Sequence, residues 1–125
     1  MRDNRPVTQR EIEFDPARPL VSRTDIGGKI KFVNQAFLDV SGFDERELIG
    51  QPHNVVRHPD MPQEAFADLW SFLKRGLSWQ GLVKNRTKNG DHYWVKAAVA
   101  PVYEEGKVTG FISVRSKPTR QEIDA

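Results

Sequence analysis

The sequence predicts an α+β domain in which short helices pack on one face of an antiparallel sheet. Residues 34–76 carry the capping signals and apolar spacing of helices. From residue 78 onward, apolar and polar side chains alternate as they do in strands. Because helical and strand segments occur in separate runs, they favour an α+β arrangement over alternating β–α units.

Length and composition fit one globular domain. The chain has 125 residues, of which 38% are hydrophobic and 29% charged, and this suffices for one core. Its net charge of +2 forms no clustered basic footprint typical of nucleic-acid binding. The absence of cysteine excludes disulfides, thiolate metal sites and cysteine nucleophiles. With no long apolar run and no signal peptide, a cytoplasmic domain is expected, on the cytoplasmic side of the membrane if the full-length protein is anchored.

The N-terminal part predicts a polar extension followed by a hairpin. Residues 1–18 are polar and interrupted by proline, and we interpret them as an extension with one helical turn at residues 8–14. Residues 19–25 and 29–33 have the composition of short strands, and the glycines between them suit a hairpin turn.

Three helices are predicted next. Asn34 stands where the first helix begins and Gly42 where it ends. Asp44 and Glu47 have the spacing of a capping box, which begins a second helix. The third and longest helix covers residues 65–76, and its apolar face is expected to pack in the core. That face consists of Ala65, Phe66, Leu69 and Leu73.

Three long strands complete the chain as a meander. An Asn-Gly pair at residues 89–90 is the strongest hairpin signal, and a Glu-Gly pair at 105–106 marks a second turn. The predicted strands cover residues 78–88, 92–105 and 107–117.

Residues 50–63 form a segment more polar and more rigid than packing requires. The sequence GQPHNVVRHPDMPQ contains three prolines that fix the local backbone, so its polar side chains suit the binding of an anionic, polar ligand. Asp60 also fits the N-cap of the following helix. Capping does not account for His53, Arg57 or His58, although an exposed solvated loop would.

Alternation divides the strand residues between two faces of the sheet, and the hairpin of the family resemblance given below implies which of these faces the helices. The inward set is Trp79, Gly81, Val83, Asn85, Tyr93, Val95, Ala97, Val99, Phe111, Ser113 and Arg115. An inward Arg115 requires an anion or polar acceptors, unless its guanidinium reaches solvent at the strand end. Gly81 and Ala97 leave space for a flat ring, beside which Trp79 either stacks or serves as a core residue. Asn85 offers both a donor and an acceptor.

The element order and four segments resemble PAS domains over about residues 19–119. The segments are VTQ at 7–9, GQPHNVVRHPDMP at 50–62, AFADLW at 65–70 and VKNRTKNGDHYWVKA at 83–97. Within that family, NVVRHPDMP joined to KNRTKNGDHYW is similar to the FAD-binding PAS domain of bacterial aerotaxis receptors. The resemblance implies a five-stranded antiparallel sheet in the order 2-1-5-4-3, bound FAD, and a redox- or oxygen-sensing role. Residues 120–125 would then begin a linker to a signalling module.

The resemblance implies eight cofactor-binding residues. They are Asn34, His53, Arg57, His58, Asp60, Trp79, Asn85 and Arg115. The guanidinium of Arg57 matches the geometry of the FAD diphosphate, and His58 can add a donor. Asp60 is expected to orient Arg57 or His58, or to bind a ribose hydroxyl, because a carboxylate does not pair with phosphate. Asn85 suits the pyrimidine edge of a flavin.

Three positions depart from light-sensing flavin PAS domains. Those domains have a cysteine near the position of His53, an asparagine at Val95 and a glutamine at Arg115. Without cysteine, a light-driven cysteinyl adduct cannot form. A cationic Arg115 near the ring would favour reduced or anionic flavin through charge stabilisation.

Three other functions remain open. The first is a haem-binding gas sensor with His53, His58 or His92 as axial ligand. The second is a ligand-free PAS module for dimerisation or partner binding. The third is an enzyme, which is disfavoured because no nucleophile motif or paired carboxylates are present. We therefore expect no catalytic residues and no metal site.

The expected partner is a signalling module of the same polypeptide or of its partner, and a PAS–PAS homodimer is compatible with the resemblance. We expect this segment to contact neither nucleic acid nor membrane.

Overall fold

A computed structural model describes residues 7–58, 61 and 63–124. Five antiparallel strands form one sheet in the order β2-β1-β5-β4-β3, which confirms the predicted fold. The strands are β1 (Leu20–Asp25), β2 (Ile30–Val33), β3 (Trp79–Arg86), β4 (His92–Glu104) and β5 (Lys107–Ser116). The first and last strands in sequence therefore meet in the centre of the sheet.

The three predicted helices are present, and a 3-10 helix and a fourth α-helix that were not predicted add to them. They are α1 (Gln35–Ser41), α2 (Glu45–Leu48), a 3-10 helix (His53–Val56), α3 (Gln63–Lys74) and α4 (Arg120–Asp124). Asn34 caps α1, because its Oδ1 accepts a hydrogen bond from the Phe37 amide at 3.1 Å. Gly42 ends this helix with a φ of 75°, a conformation that glycine adopts without strain. Asp44 and Glu47 form the predicted capping box of α2.

The helical turn predicted at residues 8–14 is wrong. This segment contains no helix and pairs with β4 through main-chain hydrogen bonds, from His92 to Arg10 at 2.9 Å and from Ile12 to His92 at 2.8 Å. Pairing between β4 and β5 ends at Lys96, so the β4 edge before it has free main-chain groups. The N-terminal segment occupies that edge, because unpaired main-chain groups in a folded protein are costly.

The two ends of the described chain lie close together. Glu11 pairs with Arg120 of α4, and Lys96 pairs with Glu122 at 3.0 Å. Phe14 is buried against Tyr93 with ring centroids 6.3 Å apart. The N-terminal segment therefore contributes to the core, while the division into extension, sensor domain and linker stays a prediction.

Strand register places the predicted inward residues on one face. Ala97 of β4 lies between Gly81 of β3 and Arg115 of β5, and Asn85 lies opposite Tyr93. These inward-facing residues form part of the core and line the space between the sheet and α3. Among the described residues, no helix is long and apolar enough to cross a membrane.

Candidate cofactor-binding site

A cavity of about 220 Å³ lies between the sheet and α3. Strand residues form one wall of the cavity and helix residues form the other. Most of the lining residues are apolar. The principal apolar residues are Val83, Ala97, Val99 and Phe111 on the sheet and Phe66 and Leu69 on the helix. A mostly apolar cavity with a few polar groups is typical of small-molecule sites.

Arg115 is the charged group of this wall and is only 3% exposed. Its guanidinium donates to Ser22 Oγ at 2.9 Å and to the Leu20 carbonyl oxygen at 3.4 Å, and one nitrogen lies 2.6 Å from His53 Nε2. No carboxylate in the part of the chain that the structure describes lies within 4.0 Å of it. Burial lowers the pKa of Arg115 to about 10.

The prediction that an inward Arg115 needs polar acceptors therefore holds, and the strand-end alternative does not. The Arg115 guanidinium makes three polar contacts, all with neutral groups, and it also lies 5.1 Å from the centre of the Phe37 ring. A guanidinium has five N–H donors, so capacity for a further acceptor remains. The positive charge has been removed from water without a described counter-ion, and an electron-rich ligand would stabilise it.

His53 lies at the start of the 3-10 helix and faces the same cavity. Its Nε2 lies between two donors, the Arg115 guanidinium and the Ser22 hydroxyl at 3.0 Å. This arrangement requires Nε2 to accept and therefore places the imidazole proton on Nδ1. Burial and the nearby charge of Arg115 lower the pKa of His53 to about 3, so the ring is neutral at physiological pH.

Asn85 supplies an amide to the cavity beside Tyr93. It is 4% exposed and lies on β3, where its main chain also pairs with Arg57. Burial raises the pKa of the Tyr93 phenol to about 12, against smaller lowering effects of the Arg115 charge and the Asn85 amide. The wall thus offers neutral hydrogen-bonding groups beside one fixed positive charge.

Arg57 follows the 3-10 helix, next to Asn85 of β3, and also lines the cavity. Its guanidinium carbon lies 3.6 Å from the centre of the Phe66 ring, a close cation–π contact. The side chain is partly exposed, and burial lowers its pKa. Arg57 can therefore reach both the cavity and the solvent at its edge.

The structure brings together four of the eight predicted site residues, namely His53, Arg57, Asn85 and Arg115. His58 is fully buried outside the cavity lining, with its ring centre 5.7 Å from that of His92. Asp60 lies outside the described residues.

Asn34 and Trp79 have structural contacts instead. The Asn34 amide donates to the Pro19 carbonyl oxygen at 3.0 Å, in addition to capping α1. The Trp79 indole donates to Asp68 of α3 at 2.9 Å and covers Gly81, where an added Cβ would lie 2.5 Å from the ring. The space that glycine was expected to leave for a ligand is therefore filled by Trp79.

Sequence reasoning missed Ser22, which links Arg115 to His53. Ser22 is 1% exposed and lies on β1, two residues after the fully buried Leu20. Period-two alternation within β1 would have placed both residues on the inner face.

Among the described residues, no group of three or more histidine, aspartate or glutamate side chains could hold a metal ion.

Comparisons with known proteins find two bacterial relatives that are at least 34% identical to this chain. The chain is 51% identical over 119 residues to the aerotaxis receptor of Escherichia coli strain K12, covering 95% of this chain and 24% of the receptor. It is 34% identical over 112 residues to the biofilm dispersion protein BdlA of Pseudomonas aeruginosa, covering 82% of this chain and 26% of that protein. The chain thus spans about a quarter of the length of either relative.

A solved light-oxygen-voltage domain, studied with a flavin analogue, has the same fold. The two structures superimpose with a TM-score of 0.76 at 22% identity, covering 84% of this chain and 81% of the other. The resemblance to aerotaxis receptors expected from the sequence is confirmed by the identity with the E. coli receptor. Residues 30–115 match the family described as the PAS fold. The chain therefore belongs to the PAS fold family.

Proposed function

We propose that this domain binds FAD non-covalently in the cavity and acts as the redox- or oxygen-responsive sensor of an aerotaxis signal transducer. The observation that carries the proposal is the buried guanidinium of Arg115, which lines a mostly apolar cavity without a described counter-ion. The 51% identity with a protein named an aerotaxis receptor supports the signalling role. A bound flavin exchanges electrons, and its charge and hydrogen-bonding pattern change with its redox state.

The donor set fits a flavin ring. Asn85 can donate to and accept from a pyrimidine edge, and Arg115 can donate to a carbonyl oxygen or stabilise a developing negative charge. The cavity of about 220 Å³ lies below the roughly 300–1,000 Å³ of most ligand pockets. A complete dinucleotide therefore exceeds it, and its diphosphate would lie towards Arg57 at the edge.

The contacts of Arg115 provide a route from the cavity to the end of the domain. Arg115 can only donate, so a change from acceptor to donor at the ligand would force its guanidinium towards Ser22 and His53. Arg115 lies on β5, and β5 leads through residues 117–119 into α4. A shift of this side chain therefore has a direct covalent route to the C-terminal helix.

The position of His53 disfavours the haem alternative at this residue. An axial histidine needs a free ring nitrogen directed at the metal. The Nε2 of His53 instead accepts from Arg115 and lies 3.0 Å from Ser22.

Under the proposal the domain has a sensory role and no catalytic one, it is cytoplasmic, and it acts on a signalling module of its polypeptide or partner.

Hydrogen exchange of the oxidised and reduced domain tests the sensing role. We expect reduction to change exchange in β5 and in residues 117–124, because Arg115 must rearrange with the ligand. A coupling free energy of about 1–3 kcal/mol corresponds to roughly 5- to 150-fold in the opening equilibrium. Replacing Arg115 with glutamine should retain flavin and remove most of this difference.

The matched control is Arg23→Gln, which changes an exposed arginine of β1. This variant should keep the full redox-dependent difference. Identical exchange of the oxidised and reduced wild-type domain across β5 and α4 would contradict the proposed route.

A further inference from the structure

The cavity has a mouth that is defined by its exposed lining residues. Of the lining residues that the structure describes, three are exposed, and they are Gly27, Pro52 and Trp70. Gly27 belongs to the turn between β1 and β2, Pro52 precedes the 3-10 helix, and Trp70 belongs to α3. Trp70 is the aromatic member of this set and is 36% exposed.

Packing holds the Trp70 ring in place at this mouth. One side meets Phe111 edge-on, with ring centres 5.5 Å apart and an interplanar angle of 82°. The ring also lies across the hairpin turn, where an added Cβ at Gly28 would be 3.8 Å away. The Gly28 carbonyl accepts from the His53 amide at 3.1 Å, which ties this turn to the cavity wall. A fixed, partly exposed indole is suited to stacking.

A positive group lies next to this indole along the helix. Arg57 covers Phe66, and Phe66 and Trp70 are four residues apart on α3. Side chains at this spacing are neighbours on a helix surface. The lining thus has a guanidinium close to an exposed aromatic ring, which suits the diphosphate and the base of a dinucleotide.

We infer that Trp70 is the stacking platform for the adenine base and makes the domain select FAD over FMN. The inference rests on the proposed flavin function and adds to it the residue that distinguishes the two cofactors. The cavity encloses no more than the flavin ring, so the remainder of FAD leaves through the mouth that Trp70 borders. FMN has no base to stack there.

Equilibrium titration of the flavin-free domain with FAD and FMN separately, followed by flavin fluorescence, tests this inference. The wild-type domain should bind FAD more tightly than FMN. Trp70→Ala should weaken FAD binding by roughly 5- to 150-fold, the range that base–aromatic stacking contributes. The same substitution should change FMN affinity by less than about threefold, well below a full stacking contribution.

Two further variants distinguish stacking from a general loss of structure. Trp70→Phe keeps a ring and should restore most of the preference for FAD. Trp94→Phe, on the outer face of β4 and away from the cavity lining, should leave both affinities unchanged. Circular dichroism of each variant shows whether it is folded.

The possible outcomes separate the two levels of the proposal. Equal wild-type affinities for FAD and FMN, or an equal loss of both in Trp70→Ala, would refute the role of Trp70 and leave flavin binding intact. A wild-type domain that binds neither FAD nor FMN would refute both the role of Trp70 and the proposed flavin binding.

Discussion

Replacing Ala97 with phenylalanine is expected to abolish flavin binding while the domain stays folded. Ala97 is buried on the cavity wall, with Gly81 and Arg115 as its cross-strand neighbours. A phenyl ring at this position would fill much of the 220 Å³ that a flavin ring needs. The new side chain enters existing space, so the stability cost should stay within the roughly 1–3 kcal/mol typical of added core volume.

Ala98→Phe is the matched control for this substitution. Ala98 is the next residue of β4, and its side chain is exposed on the opposite face of the sheet. We expect flavin absorbance per protein to fall more than tenfold in Ala97→Phe and to be unchanged in Ala98→Phe. A folded Ala97→Phe variant with full flavin occupancy would place the ligand elsewhere.

Replacing Arg57 with alanine is expected to release most of the cofactor. A charge-assisted hydrogen bond contributes about 1.5–3 kcal/mol, so the loss of one or two such bonds to a diphosphate should weaken binding at least tenfold. The cavity walls and the sheet remain, so circular dichroism should be unchanged. Flavin bound per protein after gel filtration measures the effect.

Arg75→Ala is the control for Arg57, because Arg75 also lies over a phenylalanine of α3, at 5.9 Å from the Phe72 ring, yet it does not line the cavity. It should retain the cofactor. Arg57→Lys keeps the charge without the planar fork and should give an intermediate affinity. Full retention of flavin in Arg57→Ala would contradict the assignment of Arg57 to the FAD diphosphate.

Short-range signals were sufficient for most of the secondary structure. The capping residues Asn34 and Asp44 and the Asn-Gly turn at 89–90 each have a local physical cause, and the structure has them in those roles. Alternation, aligned with the hairpin of PAS domains, placed Asn85 and Arg115 on the inner face, because a strand directs every second side chain to the same side. The order of strands in the sheet came from the family resemblance, since alternation does not show which strands pair with each other.

Tertiary contacts decided the features that were missed. Thr8 and Glu11 have the spacing that can begin a helix, but Thr8 instead bonds Asp91 at 2.5 Å and Glu11 pairs with Arg120. Trp79 was placed on the correct face, yet a face does not show that the indole would turn towards Asp68 and cover Gly81. Such choices depend on residues distant in sequence, which periodicity cannot reveal.

The absorption spectrum of the purified domain, followed by release and chromatography of its chromophore, tests flavin binding most directly. We expect the two bands of an oxidised flavin and a released compound that co-elutes with FAD. Blue light should produce no reversible cysteinyl adduct in the absence of reductant, since the chain has no cysteine. A Soret band would indicate haem, and a colourless domain that takes up no added flavin would indicate an interaction module; either result would contradict the proposed function.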